Sequence, residues 1–183
     1  MNEETSFRFL TIPNILSLFR ILLIIPIAYY FWYDNLKNVI ILILIGIITD
    51  YLDGFIARQF NQITEWGKIL DPLADKLAIG TMLIVLYLKH QVPLWLVIVV
   101  IGRDFAILST GLFLAKKYRL LPPSNFIGKF TANVLTLMVI SYIFNIEIFE
   151  IIFTLLGVLC VILSSSSYLG NFLKIQKIRK KSL

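Results

Sequence analysis

Cysteine and histidine are nearly absent from this chain: one of each, Cys160 and His90, stands among 183 residues. A single cysteine excludes an intramolecular disulfide, and the pair cannot build a histidine–cysteine metal cluster. Cys160 lies in an apolar run and reads as a small packing residue. His90, in "LKHQVPLW", reads as a solvated residue between two segments. Charge is scarce too. Charged residues make up 15% of the chain, where a soluble domain carries about 25%. Long linkers and internal repeats are missing, so one domain over 1–183 is expected, with a basic tail at 173–183. No small-residue cleavage site follows the first apolar run, so that run is expected to stay as a helix.

Apolar residues fill the space that charge leaves, at 58% of the chain. Several runs reach the roughly 20 residues that cross a bilayer. They are continuous rather than alternating, which argues against a membrane β-barrel. The expected fold is an all-α integral membrane protein with six transmembrane helices, near 13–33, 37–60, 66–89, 92–117, 124–145 and 147–172. Pro13 suits a first helical turn, and Asn145, Glu147 and Glu150 mark the last turn.

An even number of spans puts both termini on one side. That side collects Arg8, Arg58, Lys68, Lys116, Lys117, Arg119, Lys129 and the tail residues Lys174, Lys177, Arg179, Lys180 and Lys181. The other side holds little beyond Lys37 and Lys89. The positive-inside rule then places both termini in the cytoplasm. The net charge of +6 is mostly this asymmetry. It calls for membrane lipids under the tail rather than for a nucleic acid. The run Ser164–Ser167 reads as small residues at a helix contact or a dimer contact.

Against this background four aspartates stand out in "DYLDGFIARQFNQITEWGKILDPLADK". An ionisable residue inside a spanning helix costs about 2.5 kcal/mol or more at the centre. Asp50, Asp53, Gly54 and Ala57 share one helix face, and Gly67, Asp71 and Asp75 share another. A short polar turn joins the two segments, so antiparallel packing would bring both faces together near the cytoplasmic surface. Carboxylates that converge repel one another unless cations sit between them. Hard divalent cations prefer oxygen ligands. Two such ions about 3.5–4 Å apart clamp the attacking and leaving oxygens in phosphoryl chemistry. Gly54 and Gly67 would let a bulky ligand approach the backbone, and Arg58 offers a fork for a diphosphate. The bland alternative is solvated aspartates at helix ends, paired with Arg58 or Lys76.

The spacing D-x2-D-G-x2-A-R-x8-G-x3-D-x3-D, carried by Asp50, Asp53, Gly54, Ala57, Arg58, Gly67, Asp71 and Asp75, resembles the signature of the CDP-alcohol phosphatidyltransferases. The resemblance covers most of the chain. It implies six spanning helices, a homodimer, a polar metal and CDP site near the cytoplasmic face, and a bacterial inner membrane location. It implies two Mg²⁺ or Mn²⁺ ions per site, held by Asp50, Asp53 and Asp71, with Asp75 also at the metals and serving as the catalytic base. Asp53, Gly54, Ala57, Arg58 and Gly67 are implied to bind the CDP moiety. The implied reaction moves the phosphatidyl group of CDP-diacylglycerol onto an alcohol and releases CMP.

Other charges in apolar segments point to the alcohol. Arg103 and Asp104 lie within "VIGRDFAIL", Lys129 within "FIGKFTAN", and Arg119 precedes it. A basic trio of Arg103, Arg119 and Lys129 suits an acceptor that carries a phosphate. Local pairing of Arg103 with Asp104, and headgroup-facing roles for Arg119 and Lys129, stay open. "TIPNILSLFR" and "GKILDPLADK" resemble family members that use glycerol 3-phosphate. "GRDFAIL" and "YRLLPPSNFIGKFTAN" resemble members that use phosphatidylglycerol. The former commonly carry Arg-Glu where this chain has Arg103-Asp104. Glycerol 3-phosphate is the favoured acceptor and phosphatidylglycerol the alternative, with inositol phosphate and serine behind them. Two readings from other classes are weaker. An intramembrane prenyltransferase lacks the Gly-x2-Ala-Arg continuation. A cation transporter should line a path across the bilayer, whereas these aspartates gather toward one side.

Overall fold

The computed structural model describes residues 11–59, 64, 67–118 and 126–181; side chains 57–58, 68–69, 71, 110–118, 126 and 171–181 are outside the description. Among the described residues the chain is all-helical, with six helices: α1 Ile12–Trp32, α2 Leu36–Gln59, α3 Gly67–Leu88, α4 Leu94–Tyr118, α5 Phe126–Ile143 and α6 Glu147–Lys181. Each expected segment has its helix, with ends shifted by a few residues. The larger difference is α6, which continues to Lys181 through the basic end. Nothing between Asn171 and Lys181 breaks a helix, and Leu, Gln, Lys and Arg there are strong helix formers.

Among the described residues three helical stretches are long and apolar enough to cross a membrane: Ile12–Trp32, Leu36–Ile56 and Glu147–Gly170. A shorter apolar stretch covers Ile127–Ile143. The outward residues of the long stretches include Leu22, Ile25, Ile47, Ile48, Leu155 and Leu159, all exposed. A face of that kind suits acyl chains rather than water. The chain is a membrane protein. Chain contacts divide it into two compact units, Met1–Val85 and Leu86–Leu183.

Three of the helix ends are built alike. After α1, Asp34 adopts φ 56°, and the Asn35 N–H donates to the Tyr30 carbonyl at 2.9 Å. After α3, His90 adopts φ 60°, and Gln91 donates to Leu86 at 2.9 Å. After α5, Asn145 adopts φ 50°, and Ile146 donates to Ser141 at 3.1 Å. Each is a Schellman end whose left-handed residue is Asp, His or Asn, the non-glycine types that tolerate that region best. His90 is exposed, as expected, but its role is to end a helix.

In the first unit α1 packs along α2. Its buried face holds Asn14, Ser17, Leu23, Ile24 and Phe31, at helical spacing. The early part of that face is polar and the later part apolar. In the second unit α5 lies antiparallel on α6. Tyr142 and Thr154 hydroxyls meet at 3.1 Å near the hairpin turn. Further along, a Cβ on Gly157 would sit 3.4 Å from Leu135 and 3.5 Å from Met138. Beyond that, the Thr131 hydroxyl, which donates to the Ile127 carbonyl at 2.7 Å, lies 3.3 Å from the Cys160 carbonyl. Gly157 and Cys160 set this close approach, so Cys160 is the buried packing residue expected of it.

Candidate active site

The aspartates occupy the ends of α2 and α3 that flank residues 60–66. Asp53 lies about 9 Å of helix rise from the end of α2, and Asp50 one turn deeper. Their accessibility differs widely: the side chain of Asp53 is 6% exposed, against 61% for Asp50 and 58% for Asp75. Asp53 is buried because it faces α1.

The residue that meets it there is Arg20. One guanidinium nitrogen of Arg20, Nη1, pairs with Asp50, and the other, Nη2, pairs with Asp53. Nη1 also lies 3.6 Å from Asp75 Oδ1. One planar group thus joins carboxylates from α2 and α3 to the polar face of α1. The two-pronged geometry suits arginine, which presents fixed nitrogens to carboxylate oxygens. Ser17, one turn before Arg20, donates to the Pro13 carbonyl at 3.1 Å, and its hydroxyl stands 3.5 Å from Asp53 Oδ2.

A second polar link fixes where α3 begins. The Thr64 hydroxyl accepts from the Gly67 N–H at 3.0 Å and donates to Asn14 Oδ1 at 3.0 Å. Asn14 and Thr64 are both buried. Gly67 leaves no room for a side chain, since a Cβ would fall 2.9 Å from Asn14 Oδ1 and 3.3 Å from Thr64 Oγ1. The first of these is a contact that real Cβ atoms do not make. Glycine is needed here for closeness to the α1 asparagine.

Asp50, Asp53 and Asp75 are therefore brought to one place, with Gly67 at the base of α3. Gly54 lies in α2 beside Asp53. Ala57, Arg58 and Asp71 lie in helices, but their side chains are outside those described, and Arg119 is outside the described residues altogether. Among the described residues, no three acidic, histidine or cysteine side chains form a ready-made ion cage. The carboxylates of Asp50, Asp53 and Asp75 converge on Arg20.

Sequence reasoning missed Arg20, Asn14, Ser17 and Thr64. The signal was present. Asn14, Ser17 and Arg20 recur every three residues in an apolar run, and an arginine there calls for a partner as Arg103 does.

In the second unit Arg103 of α4 is buried, with its side chain 7% exposed. It donates to Asp104 Oδ1 at 2.5 Å and to the Ser164 hydroxyl of α6 at 2.5 Å. Its Nε is buried without a hydrogen-bond partner. Ser164 is fully buried, so it is a packing residue as expected and also an arginine partner. Lys129 of α5 is exposed.

Long apolar helices around a carboxylate–arginine cluster define a membrane protein with a polar site set among its spans. Comparison with known proteins specifies it further. The family model described as CDP-alcohol phosphatidyltransferase matches residues 10–163. The chain belongs to that family. It is 32% identical, over 90% of its length and 96% of the relative's, to the CDP-diacylglycerol–glycerol-3-phosphate 3-phosphatidyltransferase of Aquifex aeolicus. It is 48% identical to the protein of the same name from Bacillus subtilis, over 41% of this chain and 39% of the relative. It is also 38% identical to a CMP-forming cardiolipin synthase of Streptomyces coelicolor, over 67% of this chain and 60% of the relative. Family membership sets aside the prenyltransferase and transporter readings.

Proposed function

We propose that this chain transfers the phosphatidyl group of CDP-diacylglycerol to a hydroxyl of glycerol 3-phosphate and releases CMP. The observation that carries the reading is the similarity of nearly the whole chain to the Aquifex protein named for that reaction. In the reaction the acceptor oxygen bonds to the phosphorus that bears diacylglycerol. The bond from that phosphorus to the CMP oxygen breaks, and its electron pair leaves with CMP.

Asp50, Asp53, Asp71 and Asp75 are proposed to hold two Mg²⁺ or Mn²⁺ ions. The donor set fits, being all carboxylate oxygen, and the described members already gather around one positive group. Such ions, when bound, would neutralise the diphosphate and its departing oxygen. Asp75 is the proposed base: its exposed carboxylate accepts the proton of the attacking hydroxyl. Asp53, Gly54, Ala57, Arg58 and Gly67 receive the CDP moiety, with Arg58 on the diphosphate. Arg103, Arg119 and Lys129 bind the phosphate of the acceptor. The unmade bond at Arg103 Nε supports this, because a buried guanidinium N–H lacking a partner favours an incoming anion.

The same reading takes all six helices as spans of a bacterial inner membrane, with both termini cytoplasmic and the protein a homodimer. The basic asymmetry of the connections supports the orientation. A second reading, with phosphatidylglycerol as acceptor, is favoured by the similarity to the Streptomyces synthase. The deciding experiment is CMP release by the purified protein with CDP-diacylglycerol and Mg²⁺ or Mn²⁺. Glycerol 3-phosphate, phosphatidylglycerol, inositol 1-phosphate and serine are supplied one at a time. Release with glycerol 3-phosphate alone supports the first reading, and release with phosphatidylglycerol alone the second.

A further inference from the structure

The geometry points to Arg20 as an exchangeable counter-charge: its guanidinium neutralises Asp50 and Asp53 when no divalent cation is bound and must leave them when one enters. The inference rests on the proposed metal role of these carboxylates and adds a competitor to it.

Three observations carry it. Both terminal nitrogens of Arg20 are engaged by the two α2 carboxylates, and one also faces Asp75. Each pair takes one oxygen of its carboxylate, Oδ1 of Asp50 and Oδ2 of Asp53, so a cation held by the same two carboxylates would meet the positive guanidinium at close range and be repelled by it. Asp53 is buried among apolar helices, where an uncompensated carboxylate would be costly. A positive group is thus required at all times, and among the described residues Arg20 is seen to supply it. Finally, Arg20 stands on α1 while the aspartates stand on α2 and α3. Exchange therefore asks only one long side chain to change rotamer and leaves the carboxylates on their own helices.

Such an arrangement weakens cation binding by the cost of breaking the arginine pairs. In return it keeps α1 against the cluster in the metal-free protein. A group that only positioned the aspartates would have the opposite effect on affinity, since its removal would loosen the ligands.

The test is Mn²⁺ binding by the full-length protein in detergent micelles, read by electron paramagnetic resonance without lipid substrate. Arg20→Met removes the charge and keeps most of the length. It is expected to lower the Kd for Mn²⁺ at least about tenfold, the factor given by about 1.4 kcal/mol of pairing no longer lost. Its melting temperature without metal should fall below that of the wild type and recover when Mn²⁺ is added. Arg20→Lys, which keeps the charge but loses the fork, should lie between. An Arg20→Met Kd equal to or above the wild-type value overturns the proposal and leaves the metal site standing. Asp53→Asn is the control for the site itself. If neither wild type nor Arg20→Met binds Mn²⁺, the metal reading fails and the exchange fails with it. A second measurement needs no variant. In ¹⁵N-arginine protein the Arg20 guanidinium resonances should change from restricted to mobile on adding Mg²⁺. Resonances that do not respond to a saturating concentration also overturn the exchange.

Discussion

Thr64 and Asn14 are joined by a 3.0 Å hydrogen bond across fifty positions of sequence, from just before α3 to the start of α1. The same hydroxyl accepts the Gly67 N–H, an otherwise unsatisfied donor at the start of α3. Thr64→Val keeps the shape and removes both bonds. It leaves Asn14 Oδ1 and the Gly67 N–H short of a partner each, and should cost about 1–3 kcal/mol of stability. Thr64→Ser should cost much less. Reversible unfolding in mixed micelles measures both. Near-equal stability of Thr64→Val and the wild type would mean that the link does not hold α3.

Gly67→Ala tests the same junction from the other side. Alanine is the better helix former by about 1 kcal/mol, so propensity alone predicts a gain. The Cβ clash with Asn14 Oδ1 at 2.9 Å predicts a loss. We expect the loss to win by about 1–3 kcal/mol, the usual cost of overpacking. Adding Asn14→Ala should recover part of it, giving a non-additive pair in a double-mutant cycle. Additive effects would place the cause of the loss elsewhere than this contact.

The contrast between Asp53 and Arg20 shows what the sequence could disclose. Helix existence followed from apolar run length, and all six segments were legible. The aspartate faces were legible too, because a spacing of three or four is a property of one helix. Arg20 is a partner supplied from thirty or more residues away, and no periodicity within α2 or α3 points to it. Its own signal in the sequence is an arginine within an apolar run that has no local acid. Arg103 is legible as a charge within an apolar run, with Asp104 beside it as a local partner. Arg20 has no acid nearby in the chain, and that is the stronger reason to look for one in space. The Schellman ends at Asp34, His90 and Asn145 were harder to read, since none is glycine.

Asp75 and Asp53 should separate base from scaffold. Asp75 is exposed and only 3.6 Å from Arg20, whereas Asp53 is buried in a direct pair. Asp75→Asn is therefore expected to fold normally and bind CDP-diacylglycerol, while turnover falls about 10²–10⁴-fold, the range for losing a general base. Asp53→Asn should lose stability as well as activity, because it leaves a buried arginine pair half made. Paired measurements of CMP release, lipid binding and unfolding distinguish the two. Turnover of Asp75→Asn within a few fold of wild type would remove it from the role of base.

Arg103 offers a choice between a structural and a substrate role. Its guanidinium already bonds Asp104 and Ser164, and its Nε is buried with no hydrogen-bond partner. If that nitrogen receives the phosphate of the acceptor, Arg103→Ala should raise the apparent KM for glycerol 3-phosphate about 10–100-fold, the value of one hydrogen bond to a charged group. The KM for CDP-diacylglycerol should change little. Arg103→Lys should recover only part, since an ammonium cannot serve Asp104, Ser164 and a phosphate along the same fork. Ser164→Ala supplies the contrast. It removes a neutral partner of Arg103 without removing charge, so a modest change in stability with an unaltered acceptor KM is expected. Equal effects of Arg103→Ala on both substrates would return Arg103 to holding α4 against α6.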